Sequence, residues 1–268
     1  MAAPLDWGTL RASAGLASQP QRPEAVDPVL GAGPLPAARS THADLGLELP
    51  LPLGLTLSAT GYGRWESDLL VERFSFDPFN QWMEILGFAP SGPVAGGARA
   101  RAWGAELLLR RRAEGRWFGW IAYAYSRAER IEASGEGWHP SPFDQPHALS
   151  IVGGVDLGHG FRASGRFRLA SGRRYTPAQG SVFDADRGVY YAVPGAADSG
   201  QLPSFHSLDL RIERRFLWNR LALTLFLDVE NVYSYQPPEG VLYSADFRER
   251  AYVRGLFFLP FLGARVDL

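Results

Sequence analysis

Apolar and polar residues alternate with a period of two along most of this chain, and that period governs what it can fold into. Leu221, Leu223, Leu225, Leu227 and Val229 are apolar, with Ala222, Thr224, Asp228 and Glu230 between them and Phe226 as the exception. Ala163, Gly165, Phe167 and Leu169 alternate in the same way with Arg162, Ser164, Arg166 and Arg168. So do Leu208, Leu210 and Ile212 with Ser207, Asp209, Arg211 and Glu213, and stretches 42–49 and 55–60 repeat the pattern. This spacing sends alternate side chains to opposite faces of a strand. No stretch of comparable length carries the i, i+3, i+4, i+7 spacing of an amphipathic helix. The chain is predicted to be all-β.

Ten strands are predicted, near 7–17, 41–50, 54–67, 98–111, 116–130, 147–158, 161–173, 205–217, 220–234 and 258–268. They match the ~9–11 residues with which a tilted strand crosses a bilayer; soluble strands average roughly 5–6. The connections alternate between short and long. Leu51-Pro52-Leu53, the turn 112–115, His159-Gly160 and Trp218-Asn219 are short, whereas 18–40, 68–97, 131–146, 174–204 and 235–257 are long and rich in Pro, Gly, Asp and aromatics. Tight turns at one end and long loops at the other describe an antiparallel up-and-down transmembrane β-barrel. Five such loops would be unusual in a soluble sandwich. An even strand number places the C-terminus on the short-turn side.

Periodicity alone does not say what each face meets. In a soluble sandwich apolar faces meet one another; in a membrane barrel the apolar face meets lipid and the polar face lines a lumen. Trp117, Phe118, Trp120, Tyr123, Tyr125, Phe216, Trp218, Tyr233 and Tyr235 cluster near predicted strand ends, as interfacial girdles do. On that reading Leu221, Leu223, Leu225 and Leu227 share an outward face with Ala163, Phe167 and Leu169, with Leu225 at mid-bilayer depth. Arg162, Arg166, Arg168, Asp209, Arg211, Glu213, Asp228 and Glu230 are the expected lumen-facing set, with opposite charges paired across adjacent strands.

Composition removes other classes. The 27 basic residues against 28 acidic ones leave a net charge of −1, which offers nucleic acid no broad field, so no nucleic-acid partner is expected. With no cysteine, disulfide frameworks, thiolate metal sites and cysteine nucleophiles are excluded. No apolar run reaches the ~18 residues of a membrane helix. Met1-Ala2-Ala3-Pro4 lacks the basic-then-apolar order of a signal peptide. His42, His139, His147, His159 and His206 are scattered without ligand spacing, so neither metal nor cofactor is expected. Asp144 and His147 are near neighbours, but hydrogen bonding where the chain joins a strand accounts for them better than catalysis does. Gly31-Ala32-Gly33 lies in a proline-rich loop and is no nucleotide motif, and no nucleophile elbow, phosphate loop or calcium loop is present. Arg110, Arg111 and Arg112 lie at a predicted short turn, where a solvated or phosphate-facing role suffices. No enzymatic activity is expected.

Five segments carry a further signal. Ala102-Trp103-Gly104-Ala105-Glu106-Leu107 reads aromatic-Gly-x-Glu-Leu, and Gly119–Arg127 follows it. Phe143-Asp144-Gln145-Pro146-His147-Ala148-Leu149, then Ser171-Gly172-Arg173-Arg174-Tyr175-Thr176-Pro177, then Leu227-Asp228-Val229-Glu230-Asn231-Val232-Tyr233 come next. In that order they resemble the C-terminal part of the barrel of TonB-dependent outer-membrane receptors. The resemblance implies an outer-membrane location and, for a whole receptor, energy-coupled uptake of a siderophore, cobalamin, sugar or peptide. Its implied partners are outer-membrane lipid, the barrel-assembly machinery, a plug domain and TonB. The family's barrel has about 22 strands around a plugged lumen. Residues 1–268 are therefore expected to be one barrel segment, without the plug, the TonB box, the signal peptide or the first dozen strands, and not transport-competent alone.

The closing run Gly263-Ala264-Arg265-Val266-Asp267-Leu268 resembles the signal that the assembly machinery reads as an added strand. Gly263, Val266 and Leu268 occupy its positions, with Leu268 where an aromatic is usual. The alternatives are a self-standing ten-stranded outer-membrane pore, adhesin or surface protein, and a soluble β-rich binding module. An unpaired edge in lipid costs several kcal/mol per backbone group, so the strands at 7–17 and 258–268 are expected to pair and close the sheet.

Overall fold

The computed structural model describes residues 2–5, 7–26, 34–72, 94–112, 115–132, 137–219 and 221–267. Eleven strands pair in chain order, each antiparallel to the next. They are β1 (Ala2–Leu5), β2 (Gly8–Gln19), β3 (Ala38–Leu51), β4 (Leu55–Glu72), β5 (Val94–Arg111) and β6 (Trp117–Ile131). After these come β7 (His147–Gly158), β8 (Phe161–Ala170), β9 (Phe205–Trp218), β10 (Leu221–Glu230) and β11 (Leu259–Asp267). The meander is the predicted one, with β4 and β5 reaching 18 residues each.

Several boundaries differ from expectation. The first predicted segment is preceded by a separate short strand, β1, paired with β2 from Ala2↔Arg11 to Leu5↔Gly8. The segment predicted to reach 234 stops at Glu230, because Asn231 takes a left-handed backbone (φ 52°). The long connections also carry β-structure that their turn-rich composition hid. Ala178–Asp184 pairs with Val189–Pro194, Pro238–Tyr243 with Arg250–Arg254, and Arg174–Tyr175 with Gly200–Gln201.

Short turns fix the register. Gly158, His159 and Gly160 all have positive φ between β7 and β8. Gly160 could not be another residue, since a Cβ there would overlap the Arg215 carbonyl oxygen. Its own carbonyl accepts from Arg215 N–H at 2.8 Å. Asn219, a residue type that tolerates the left-handed region, turns β9 into β10 at φ 45°.

This register carries two faces across the whole sheet. One holds Leu10 opposite Leu47, Leu57 opposite Leu109, Ile121 opposite Ile151 and Phe167 opposite Leu208. It continues through Ile212 opposite Leu227 and Leu227 opposite Leu262. Leu221, Leu223, Leu225 and Leu227 do share this apolar face with Ala163, Phe167 and Leu169. Arg214 stands opposite Leu225 on it, however, so Leu225 is not at the middle of an uncharged band. The other face is polar. Phe118 and Trp120 belong to it, opposite Gly154 and Val152, and so leave the expected aromatic girdle.

Little apolar surface is covered. Among the described residues only Ala98, Leu202 and Ala222 are buried hydrophobic side chains, while Leu262 is 86% and Leu45 57% exposed. The sheet is also open: among the described residues, β1 and β11 are its two ends and do not pair with each other. The expected closure is not made. In an eleven-strand meander β1 and β11 run the same way, and the four residues of β1 cannot cover the nine of β11. Strands sheared and tilted for a wide ring would also have to bend more sharply to close here.

Candidate functional site: the charged wall and its loop anchors

All eight residues expected to face a lumen lie on the polar face. They are spread over β8, β9 and β10, where the register sets Arg166 opposite Asp209, Arg162 opposite Glu213 and Arg211 opposite Asp228. Alternation brings each charge to this face, and ion pairs between strands neutralise all of them but Glu230. Arg166 reaches Asp209 at 2.9 Å and Arg168 at 3.2 Å. Arg211 bridges Asp228 at 2.8 Å and Glu213 at 2.9 Å, and Arg162 lies 3.7 Å from Glu213. Glu230 has no ion partner among the described residues; with Arg211 and Asp228 it lines a cavity of about 290 Å³ flanked by Phe118 and Val152. Four arginines thus face four carboxylates, giving a locally polar wall with no net field.

Phe226, the exception in the alternation, has a clear role. Its ring lies under the Arg211 guanidinium, 4.0 Å from Cζ to centroid. It also occupies the space beside Gly263, where a Cβ would collide with it. Gly263 therefore has a packing reason to be glycine. Val266 lies on the apolar face opposite Leu223. Leu268, the third position of the expected assembly signal, is outside the described residues.

Two anchors hold the long connections to the strand ends. Asp144 is 0% exposed. Its Oδ1 accepts from Ala128 N–H at 3.0 Å, its Oδ2 accepts from Arg174 Nε at 3.2 Å, and Arg127 stands 3.6 Å away. Gln145 Nε2 donates to the Ser171 carbonyl at 2.9 Å, and Ser171 Oγ accepts from His147 N–H at 3.1 Å. Gly172 packs against the Leu202 carbonyl so closely that no side chain fits. Two of the recognised segments, 143–149 and 171–177, are thus the two halves of one clamp. His147 Nδ1 meets the Tyr123 hydroxyl at 2.8 Å instead of Asp144, so the two residues serve different contacts.

Asn231 is the second anchor, and sequence reasoning did not single it out. Its N–H donates to Asp209 Oδ1 at 3.0 Å, and its Nδ2 donates to the carbonyls of Tyr235 (2.8 Å) and Leu256 (3.1 Å). Beside it His206 stacks on Tyr235, with centroids 3.8 Å apart, and meets the Tyr233 hydroxyl at 2.8 Å. Two signals were available: its place in the recognised segment 227–233, and an Asn directly after an alternating strand, a type suited to left-handed turns.

Titratable groups in the loops are shifted for local reasons. Burial pushes the Asp198 carboxyl up, against the pull of Arg130 and His139. A hydrogen bond from the Ser244 hydroxyl and another from Arg248 N–H lower that of Asp246. No group of three or more His, Asp or Glu able to hold a metal occurs among the described residues.

No protein-family model and no curated protein matches the chain. Solved structures do. The pyoverdine outer-membrane receptor FpvA from Pseudomonas aeruginosa PAO1 superposes with a TM-score of 0.62 at 16% identity, covering 98% of this chain and 34% of that one. The ferric yersiniabactin uptake receptor FyuA from Yersinia pestis gives 0.63 at 15%, covering 98% and 35%. The copper transporter OprC gives 0.64 at 18%, covering 98% and 37%. The chain spans about a third of the length of the receptors it matches. Its fold is that of part of a TonB-dependent receptor barrel, and these neighbours are transporters and receptors rather than enzymes.

Proposed function

We propose, from this fold shared with TonB-dependent outer-membrane receptors, that the chain is a stretch of such a barrel's wall, with its apolar face in outer-membrane lipid and its polar face on a lumen. One observation carries the reading. A single apolar face runs unbroken across eleven strands and stays exposed, with only three buried hydrophobic side chains among the described residues. A soluble sandwich would cover that face with a second sheet, so the soluble binding module loses its basis. The self-standing small barrel needs a closed ring, which the open meander does not provide.

As a wall, the charged set on β8, β9 and β10 faces the passage, and the anchored connections form the outer mouth. The activity served is uptake of a small solute. A ferric siderophore is favoured over cobalamin, sugar or peptide, because FpvA and FyuA are named for such iron carriers. Transport requires a ring, so further strands must pair with β2 and β11; a plug and TonB would act on that complete assembly. The residues Gly263, Val266 and Leu268 would engage the barrel-assembly machinery.

The test is bilayer insertion. Folded into vesicles, the chain should need detergent for extraction, and lipids brominated along their tails should quench its tryptophan fluorescence. A chain that stays monomeric in plain buffer, or is untouched by brominated tails, overturns the membrane reading.

A further inference from the structure

The apolar face carries charge only near its ends. Toward the long connections lie Arg39 and Arg99, together with Arg101, whose carboxylate partner Glu129 is at 2.6 Å, and Arg127, 3.6 Å from Asp144. Toward the short turns the charged side chains on this face, among the described residues, are Arg111 and Arg214, by their register with Leu55 and Leu225. Neither has a carboxylate partner there. Each instead lies over aromatic rings. Arg111 Cζ is 3.6 Å from the centre of the Trp117 ring. Arg214 Cζ is 4.7 Å from Phe161 and 4.7 Å from Phe216.

Stacking holds a guanidinium by its face and leaves its N–H edge free to donate. An arginine on a lipid-facing surface without a counter-ion is costly unless it meets an anion at the interface. Aromatic rings at a strand end mark the headgroup level. A planar donor edge at that depth matches the oxygens of a phosphate.

We propose that Arg111 with Trp117, and Arg214 with Phe161 and Phe216, are two binding sites for the phosphate of an anionic phospholipid in the leaflet on the short-turn side. The proposal rests on the membrane reading above. The occupant is a lipid rather than free phosphate because both clamps open on the apolar face, where the acyl chains would run beside Leu55, Leu223 and Leu225.

Spin-labelled phosphatidylglycerol and phosphatidylcholine, each diluted into phosphatidylcholine vesicles holding the full chain, test this by electron spin resonance. A basic side chain near a membrane surface contributes about a fivefold preference for an anionic lipid, so the immobilised signal should favour phosphatidylglycerol by roughly that factor. Arg111→Gln with Arg214→Gln should bring the preference close to one. The double lysine variant, which keeps the charge, should retain part of it, and Arg265→Gln on the polar face should leave it unchanged. Circular dichroism of each variant verifies that the strands have formed. Equal immobilisation of both lipids by the native chain overturns the proposal alone. A preference that survives the double glutamine variant overturns the assignment to these arginines. No immobilised lipid of either kind overturns the membrane reading itself.

Discussion

Because Asp144 is closed off from solvent and accepts from both Ala128 N–H and the Arg174 guanidinium, truncating it strands two donors, one of them charged. Breaking a buried pair in this way costs about 3–5 kcal/mol. Asp144→Ala should therefore free the 171–204 connection, seen as faster proteolysis there while strand content by circular dichroism stays native. Unchanged cleavage would show that the clamp is redundant. Asp198 gives a pH test. An acid whose pKa rises on folding holds its proton more tightly when folded. Its contribution is complete below the ordinary value of 3.8 and is lost as pH rises through the raised folded value. Hydrogen exchange in residues 195–203, corrected for its chemical pH dependence, should be more protected at about pH 4 than at about pH 7. Asp198→Asn should flatten that difference. The alternation placed each charge of the wall on its face, but it could not show that Phe226 breaks the pattern to stack under Arg211 beside Gly263. That contact joins three strands.

At the scale of the element, strand identity was legible because each strand obeys a local rule, period two between turn residues. Leu227, flanked by Ile212 and Leu262 with no charge opposite it, replaces Leu225 as the position that tests the lipid face. Leu227→Arg should destabilise the folded chain in lipid by about 2–4 kcal/mol, measured by urea titration in vesicles. A loss near zero would place that face in water. Phe118 and Trp120 show the limit of reading aromatics by position along the chain. Both lie near a strand end, as girdle residues do, but strand parity sends them to the polar face. The hairpins at 178–194 and 238–254 were missed for a related reason. Their Gly- and Pro-rich composition reads as loop, while contacts distant in sequence hold them. Ser181 Oγ donates to the Asp246 carbonyl at 2.7 Å, and Ala178 N–H donates to the Tyr243 hydroxyl at 3.1 Å.

For the whole molecule the edges decide behaviour. Among the described residues, residues 13–19 of β2 and the outer side of β11 have no strand partner at the sheet edge, and such edges recruit other strands. The chain has no cysteine, so a cysteine placed at Leu16 and another at Leu262 report pairing without background. In vesicles these should form cross-links between chains and not within one chain; an intramolecular link as the main product would mean that the sheet closes on itself. The sequence by itself determined the ten long strands, their antiparallel order, the two faces and the paired charges, because each follows from neighbours in the chain or across a tight turn. Only the tertiary structure decided the open edges, the clamp between Asp144 and Arg174 and the left-handed hub at Asn231. Curvature is a sum over all strands, and those contacts join segments that loop length and turn composition leave free to meet anywhere.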